Sequence, residues 1–198
     1  GSDDLLTKPL SAMQIKERVT SLVESRKPFV VTSDYIGPTR RNLKSREESM
    51  VPLLDVPNIL REKATGKKAE SGIQASVDEA ILEINLQKLE RYAHQIVYLV
   101  DHIVPALLKG DMDEQISQHI TRLDYVANDT SRRLVGTKYD HISELCQTLI
   151  NVTTKIKNTN QKQSDKDLRL LQHLAAAIKA SFETGTAEMA REIVSSFE

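Results

Sequence analysis

Residues 73–107 read IQASVDEAILEINLQKLERYAHQIVYLVDHIVPAL. Apolar side chains fall at Ile73, Val77, Ile81, Ile84, Leu89, Ala93, Ile96, Val100, Ile103 and Leu107, with steps of three to five residues. Such steps gather side chains on one side of a helix, whereas a strand would need alternation. Pro105 predicts a kink or an early stop, because its ring removes an amide donor. Lys109-Gly110-Asp111 closes this helix and opens the next. The same period recurs downstream. A second helix carries Ile116, Ile120, Leu123, Ala127 and Leu134 and ends at Gly136. A third carries Ile142, Leu145, Leu149, Val152 and Ile156, and the polar run Lys157 to Ser164 is a turn. A fourth carries Leu168, Leu171, Ala175, Ile178 and Phe182. Gly185 breaks it, and a short last helix holds Ala187, Ala190, Val194 and Phe197. Amphipathic helices with short connections predict an all-α fold, a four-helix up-down bundle over residues 73–198.

Composition agrees with that fold. Trp is absent and aromatic residues make up 4% of the 198 residues, so the core is expected to be aliphatic. The 27 basic and 28 acidic residues leave a net charge of −1. No global field draws the chain to nucleic acid or to an anionic membrane. The single Cys146 rules out an internal disulfide framework, fits a reducing cytoplasm, and reads as a core thiol. No apolar run approaches the roughly 18–20 residues that span a bilayer, and the first residues lack the pattern of a signal peptide.

Two segments precede the bundle. Residues 11–25 predict one helix, capped by Ser11, with an apolar side at Met13, Ile15, Val19, Leu22 and Val23, and stopped at Lys27-Pro28. Residues 26–72 hold Pro28, Pro38, Pro52 and Pro57, four of the six prolines, and are mildly basic. They predict an irregular linker that packs in places.

Familiar catalytic frames are missing. There is no glycine-rich phosphate loop, nucleophile elbow, framed pair of carboxylates or helix-turn-helix with a basic face. The histidines, His94, His102, His119, His141 and His173, show no i,i+4 pair, so no metal centre and no cofactor are expected. His173 is followed by a lysine, Lys179, six residues on. All five read as surface or half-buried helix residues.

Asp3-Asp4-Leu5-Leu6-Thr7-Lys8-Pro9, followed at once by an amphipathic helix, resembles the end of a response-regulator receiver domain. The resemblance implies that residues 1–25 are the end of the last strand, the lysine-proline turn and the last helix. Lys8 would be the lysine that reaches the phosphorylated aspartate, and Pro9 the proline after it, commonly cis in receivers. Tyr35-Ile36-Gly37-Pro38-Thr39-Arg40-Arg41 resembles a tract that follows receivers in some bacterial regulators. It carries no clear chemistry, and a solvated basic turn is the plainer reading.

The stretch Ala127 to Leu145 resembles the active helix of one branch of histidine phosphotransfer domains, which are four-helix bundles. That helix reads Ala-His-Asp-x-Lys-Gly, with an aromatic residue and a Thr/Ser-Glu pair further on. Aligned without gaps, Ala127, Asp129, Tyr139, Ser143 and Glu144 match. The phospho-accepting histidine falls on Asn128, and the Lys-Gly pair on Ser131-Arg132. An amide nitrogen is not a nucleophile. Arg132 and Arg133 bring positive charge but crowd the approach of a partner aspartate. Together the resemblances imply a non-enzymatic signalling protein of a two-component system, whose bundle docks a receiver domain or a histidine kinase without exchanging phosphate. Two alternatives stay open: an active phosphotransfer protein using His94, His102 or His141, and a helical dimerisation or scaffold module that forms a homodimer.

Overall fold

The computed structural model describes residues 2–40, 51–66, 73–158 and 164–184, without the side chains of residues 73, 74 and 184. The fold is mostly helical. Its elements are α1 (Ala12–Glu24), β1 (Phe29–Val31), β2 (Ile36–Pro38), β3 (Leu53–Leu54), α2 (Ile59–Thr65), α3 (Ile73–Lys109), α4 (Glu114–Leu134), a 3-10 turn (Asp140–Ile142), α5 (Ser143–Asn158) and α6 (Asp165–Thr184). The chain divides into two compact units, residues 1–88 and 89–198, with the division inside α3.

In the first unit Ser11 opens α1 with a reciprocal capping box. Its Oγ accepts from the Gln14 amide at 3.1 Å, and the Gln14 side chain accepts from the Ser11 amide at 3.0 Å. Two orphan donors are thereby satisfied. The helix ends at Glu24, ahead of Pro28 as expected. Residues 4–7 form no strand, since no neighbouring strand pairs with them among the described residues. The Lys8–Pro9 peptide bond is cis.

The segment expected as an irregular linker holds ordered structure. β1 lies between β2 and β3 in an antiparallel sheet, with Phe29 opposite Pro38 and Leu54, and Val31 opposite Ile36. Ile36–Pro38 is therefore strand, and Gly37, Pro38 and Thr39 are buried rather than forming a solvated turn. The chain reverses one step earlier, at Thr32–Tyr35, where the Thr32 hydroxyl accepts from the Tyr35 amide. Pro38 tolerates its place because β2 is an edge strand. Arg41 lies outside the described residues.

Polar side chains staple this unit. Arg26 donates to both carboxylate oxygens of Asp3 and to the Pro57 carbonyl, and its guanidinium lies 4.9 Å from the centre of the Phe29 ring. Asn58 uses both ends of its amide. Nδ2 donates to the last carbonyls of α1, at Leu22 and Val23, and Oδ1 accepts from the Arg61 amide to open α2. Lys88 is only 5% exposed, and its Nζ donates to the Thr32 and Ser33 carbonyls at 2.8 and 2.6 Å. A buried ammonium is tolerable only with such acceptors.

In the second unit the apolar period becomes a core. Leu89, Ile96 and Ile103 of α3, Leu123 of α4, Leu149 of α5 and Leu171 of α6 are fully buried. Hydroxyls in this core bond to their own helices: Thr130 to the Val126 carbonyl, Thr153 to Leu149 and Ser181 to Ala177. Contacts between α3 and α4 pair Tyr92 with Asp129, Gln95 with Arg122 and His102 with His119, so the two run antiparallel. The Lys155–Asp167 and Tyr139–Phe182 pairs set α5 and α6 antiparallel as well.

Helix ends follow their local chemistry. α3 passes through Pro105 and runs on to Lys109 instead of stopping early. Pro105 is exposed, and its ring takes away the amide that would bond the carbonyl four residues back, that of Asp101. Gly110, at φ 84°, takes the left-handed conformation that turns the chain. The cap of α4 is Asp113, accepting from the Ile116 amide at 2.8 Å, rather than Asp111. Gly136 turns the chain just after α4 at φ 74°. The expected last helix, residues 187–197, lies outside the described residues. Among the described residues no helix is long and apolar enough to cross a membrane.

Candidate functional site

The four residues singled out in the phosphotransfer resemblance share the last turns of α4. Asn128 is exposed, and its Nδ2 donates to the Asp124 carbonyl at 2.8 Å and to Asp124 Oδ1 at 3.2 Å. Ser131 is half-buried. Asp129 points inward, because one residue step turns a helix by about 100° and carries the side chain from the ridge to the flank.

Asp129 is the electrostatic centre of this region. Arg132 Nη2 donates to Oδ1 at 3.0 Å, and Arg133 Nε donates to Oδ2 at 2.7 Å. The Tyr92 hydroxyl reaches the same carboxylate from α3. Burial by itself raises the pKa of Asp129. The hydrogen bonds from Arg133 and Tyr92, with the charges of Arg133 and Arg132, outweigh it and hold the carboxyl below its ordinary value of 3.8. Burial, then the bond to Asp129, pushes the Tyr92 phenol well above its ordinary value, so it stays a neutral donor. One carboxylate thus faces two guanidinium groups, and the Arg132 side chain remains 72% exposed.

A second group of polar rings lies along the same two helices. His102 is exposed, with Nδ1 2.7 Å from the Tyr98 carbonyl. The Tyr98 ring centre lies 4.2 Å from that of His102, and the His119 ring meets His102 edge-on at 5.8 Å. Further along, Gln95 Oε1 accepts from Arg122, whose guanidinium sits 5.3 Å from the centre of the Tyr125 ring. Tyr98 and Tyr125 are each about half exposed. Sequence reasoning passed over both tyrosines, since either fits an apolar period as well as a surface.

The remaining sequence candidates stand elsewhere. Lys8 and Pro9 are exposed in the turn ahead of α1, in the first unit. A cavity of about 150 Å³ in that unit is lined by Asp3, Leu22, Arg26, Asn58, Ile59 and Leu60. It is smaller than the roughly 300 Å³ that small-molecule sites begin at. Cys146 is fully buried on α5, and burial pushes its thiol up to about 12. Among the described residues no three His, Cys, Asp or Glu side chains are grouped to hold a metal ion. Comparison with protein families, with curated proteins and with solved structures finds no match to this chain.

Proposed function

We propose that this chain is a signal-transduction protein of a two-component system, with a four-helix up-down bundle of the phosphotransfer kind that docks partners without accepting phosphate. The observation that carries this reading is Asn128. It stands exposed on α4, where the resemblance puts the phospho-accepting histidine. Its amide nitrogen is no nucleophile, and it is already spent on Asp124. Asp129, Arg132 and Arg133 form a fixed charged patch beside it. Such a patch suits recognition of a receiver domain or histidine kinase. On this reading residues 1–25 end a receiver, with Lys8 and Pro9 in the relay turn. The exposed apolar side of α1 is then the side that a receiver's sheet covers.

The test is phosphoryl transfer from a phosphorylated receiver. The native chain is expected to take no label, and an Asn128→His, Ser131→Lys, Arg132→Gly variant to gain it. Label on the native chain sinks the loss of chemistry. One observation favours a second reading, an active phosphotransfer protein using His102. Its Nδ1–H donates to the Tyr98 carbonyl, which leaves the Nε2 lone pair as the reactive position on an exposed ring. Label on the native chain that His102→Gln abolishes establishes that reading instead.

A further inference from the structure

We infer that His102 and His119 form a two-histidine site for a borderline divalent metal ion such as Zn²⁺, where α3 meets α4. The inference stands independently of the docking reading above and concerns the second unit alone.

The pair is made by the fold. The two histidines lie on separate helices, so no spacing within the sequence reveals them. The antiparallel run of α3 and α4 brings them level. Their ring centres stand 5.8 Å apart, and the ring planes cross at 83°. A zinc–imidazole bond is about 2.0–2.1 Å long, which sets the centres of two rings on one tetrahedral ion roughly 5–6.5 Å apart. Stacked rings turn their faces to each other. These rings meet edge-on, and the lone pair of an imidazole nitrogen lies at the ring edge.

Each ring holds one nitrogen suited to a metal. His102 Nδ1 lies 2.7 Å from the Tyr98 carbonyl, which can only accept. Nδ1 therefore carries the proton, and Nε2 keeps its lone pair. A bond from the other ring nitrogen to a backbone carbonyl is the support that orients a metal-binding histidine. The Tyr98 ring, 4.2 Å from that of His102 between centres, adds to it. His119 shows the complementary sign. Its Nδ1 is buried and has no hydrogen-bond partner. A buried polar atom without a partner costs free energy, and a bound ion is one of the few groups that satisfies it.

The ligands select the ion. Imidazole nitrogen suits Zn²⁺, Ni²⁺ and Cu²⁺, whereas Mg²⁺ and Ca²⁺ take oxygen ligands. Among the described residues no group of three His, Cys, Asp or Glu forms. The remaining coordination positions therefore belong to water. His102 is exposed, and exposed side chains change rotamer within ps–ns, so an ion can enter from solvent. One ligand from each helix ties α3 to α4 ahead of the Gly110 turn that joins them.

The experiment uses the chain freed of metal by a chelator. Zn²⁺ is titrated by isothermal calorimetry, and thermal unfolding is followed by circular dichroism with and without the ion. One Zn²⁺ is expected to bind per chain and to raise Tm, as any ligand of the folded state alone does. Mg²⁺ is expected to do neither. His102→Gln and His119→Gln are each expected to weaken Zn²⁺ binding roughly tenfold or more and to abolish the rise in Tm. His94→Gln and His141→Gln should bind as the native chain does; His141 is the sharper control, since its Nε2 is also buried without a partner. With Cu²⁺ as probe, electron spin resonance should show two coupled imidazole nitrogens in the native chain and one in either site variant. Ring contact without metal binding leaves all of these readouts flat.

The inference is overturned if the native chain binds no Zn²⁺. It is overturned equally if only one of His102→Gln and His119→Gln weakens binding, which marks a lone surface histidine. Loss of binding in His94→Gln or His141→Gln as large as in the site variants overturns it as well.

Discussion

Helices α1 and α4 begin alike and end in opposite circumstances. Both are amphipathic, and both open with a side-chain cap, Ser11 for one and Asp113 for the other. Yet α4 buries Ile116, Ile120, Leu123, Val126 and Leu134, whereas α1 buries none of its residues and leaves Met13 70% exposed. An apolar period makes a helix able to bury a face. Only a neighbouring element turns that ability into stability, because apolar stabilisation follows the area removed from water. α4 has such neighbours in α3 and α5, and α1 is left with short contacts to α2.

The sharpest way to break this contrast is truncation on each side of it. Leu145→Ala removes a fully buried side chain and is expected to cost about 2–5 kcal/mol in urea unfolding. Met13→Ala is expected to stay within about 0.5 kcal/mol. A loss at Met13 comparable with that at Leu145 means that something covers α1 in solution.

A smaller effect belongs to the buried carboxylate. Asp129→Ala removes one acceptor from the Tyr92 hydroxyl and one from Arg133 and is expected to cost about 1–3 kcal/mol. The folded pKa of Asp129 lies below 3.8, so its contribution is fully present above that value. It is lost as pH falls through the lower folded value. Urea midpoints across the acid range are therefore expected to fall less steeply for Asp129→Asn than for the native chain. Identical acid limbs refute the pairing.

Smallest is the tether in the first unit. Lys88→Met takes the donor from the Thr32 and Ser33 carbonyls and is expected to cost on the order of 1 kcal/mol. Its clearer sign is faster amide exchange in β1 and the Thr32–Tyr35 reversal, with Leu145 and its neighbours unchanged. Unchanged exchange there means that the sheet holds without the ammonium.

These contrasts also explain what was legible. Helices α3 to α6 could be read because each carries several turns of a period near 3.6 residues, long enough to average out exceptions such as Pro105. The sheet could not. β1 and β2 have three residues each and β3 has two, too few for alternation to register, and Gly37-Pro38 looks like punctuation. The unit division inside α3 was invisible for the opposite reason, since the helical period crosses it without a mark. At the candidate site, Asp129 with Arg132 and Arg133 was accessible as an i,i+3 and i,i+4 pattern. Tyr92 was not, because it comes from another helix. Lys88 was the hardest residue to foresee. A lysine in a helix ordinarily reads as solvent-facing, and its acceptors lie in a turn 55 and 56 residues away in sequence.

Cys146 gives the chain a built-in clock. It is the only sulfhydryl, it is sealed inside α5, and with its pKa at about 12 it is almost wholly protonated at neutral pH. Disulfide reagents attack only the thiolate. In the closed state the reaction is therefore blocked twice, by access and by protonation. Each labelling event must await an opening of the surrounding helices that lets in water and returns the thiol to ordinary acidity. The rate at which a chromogenic disulfide is consumed then reports the population of the open state when reclosing outruns labelling, and the opening rate itself once labelling outruns reclosing, at one site per molecule.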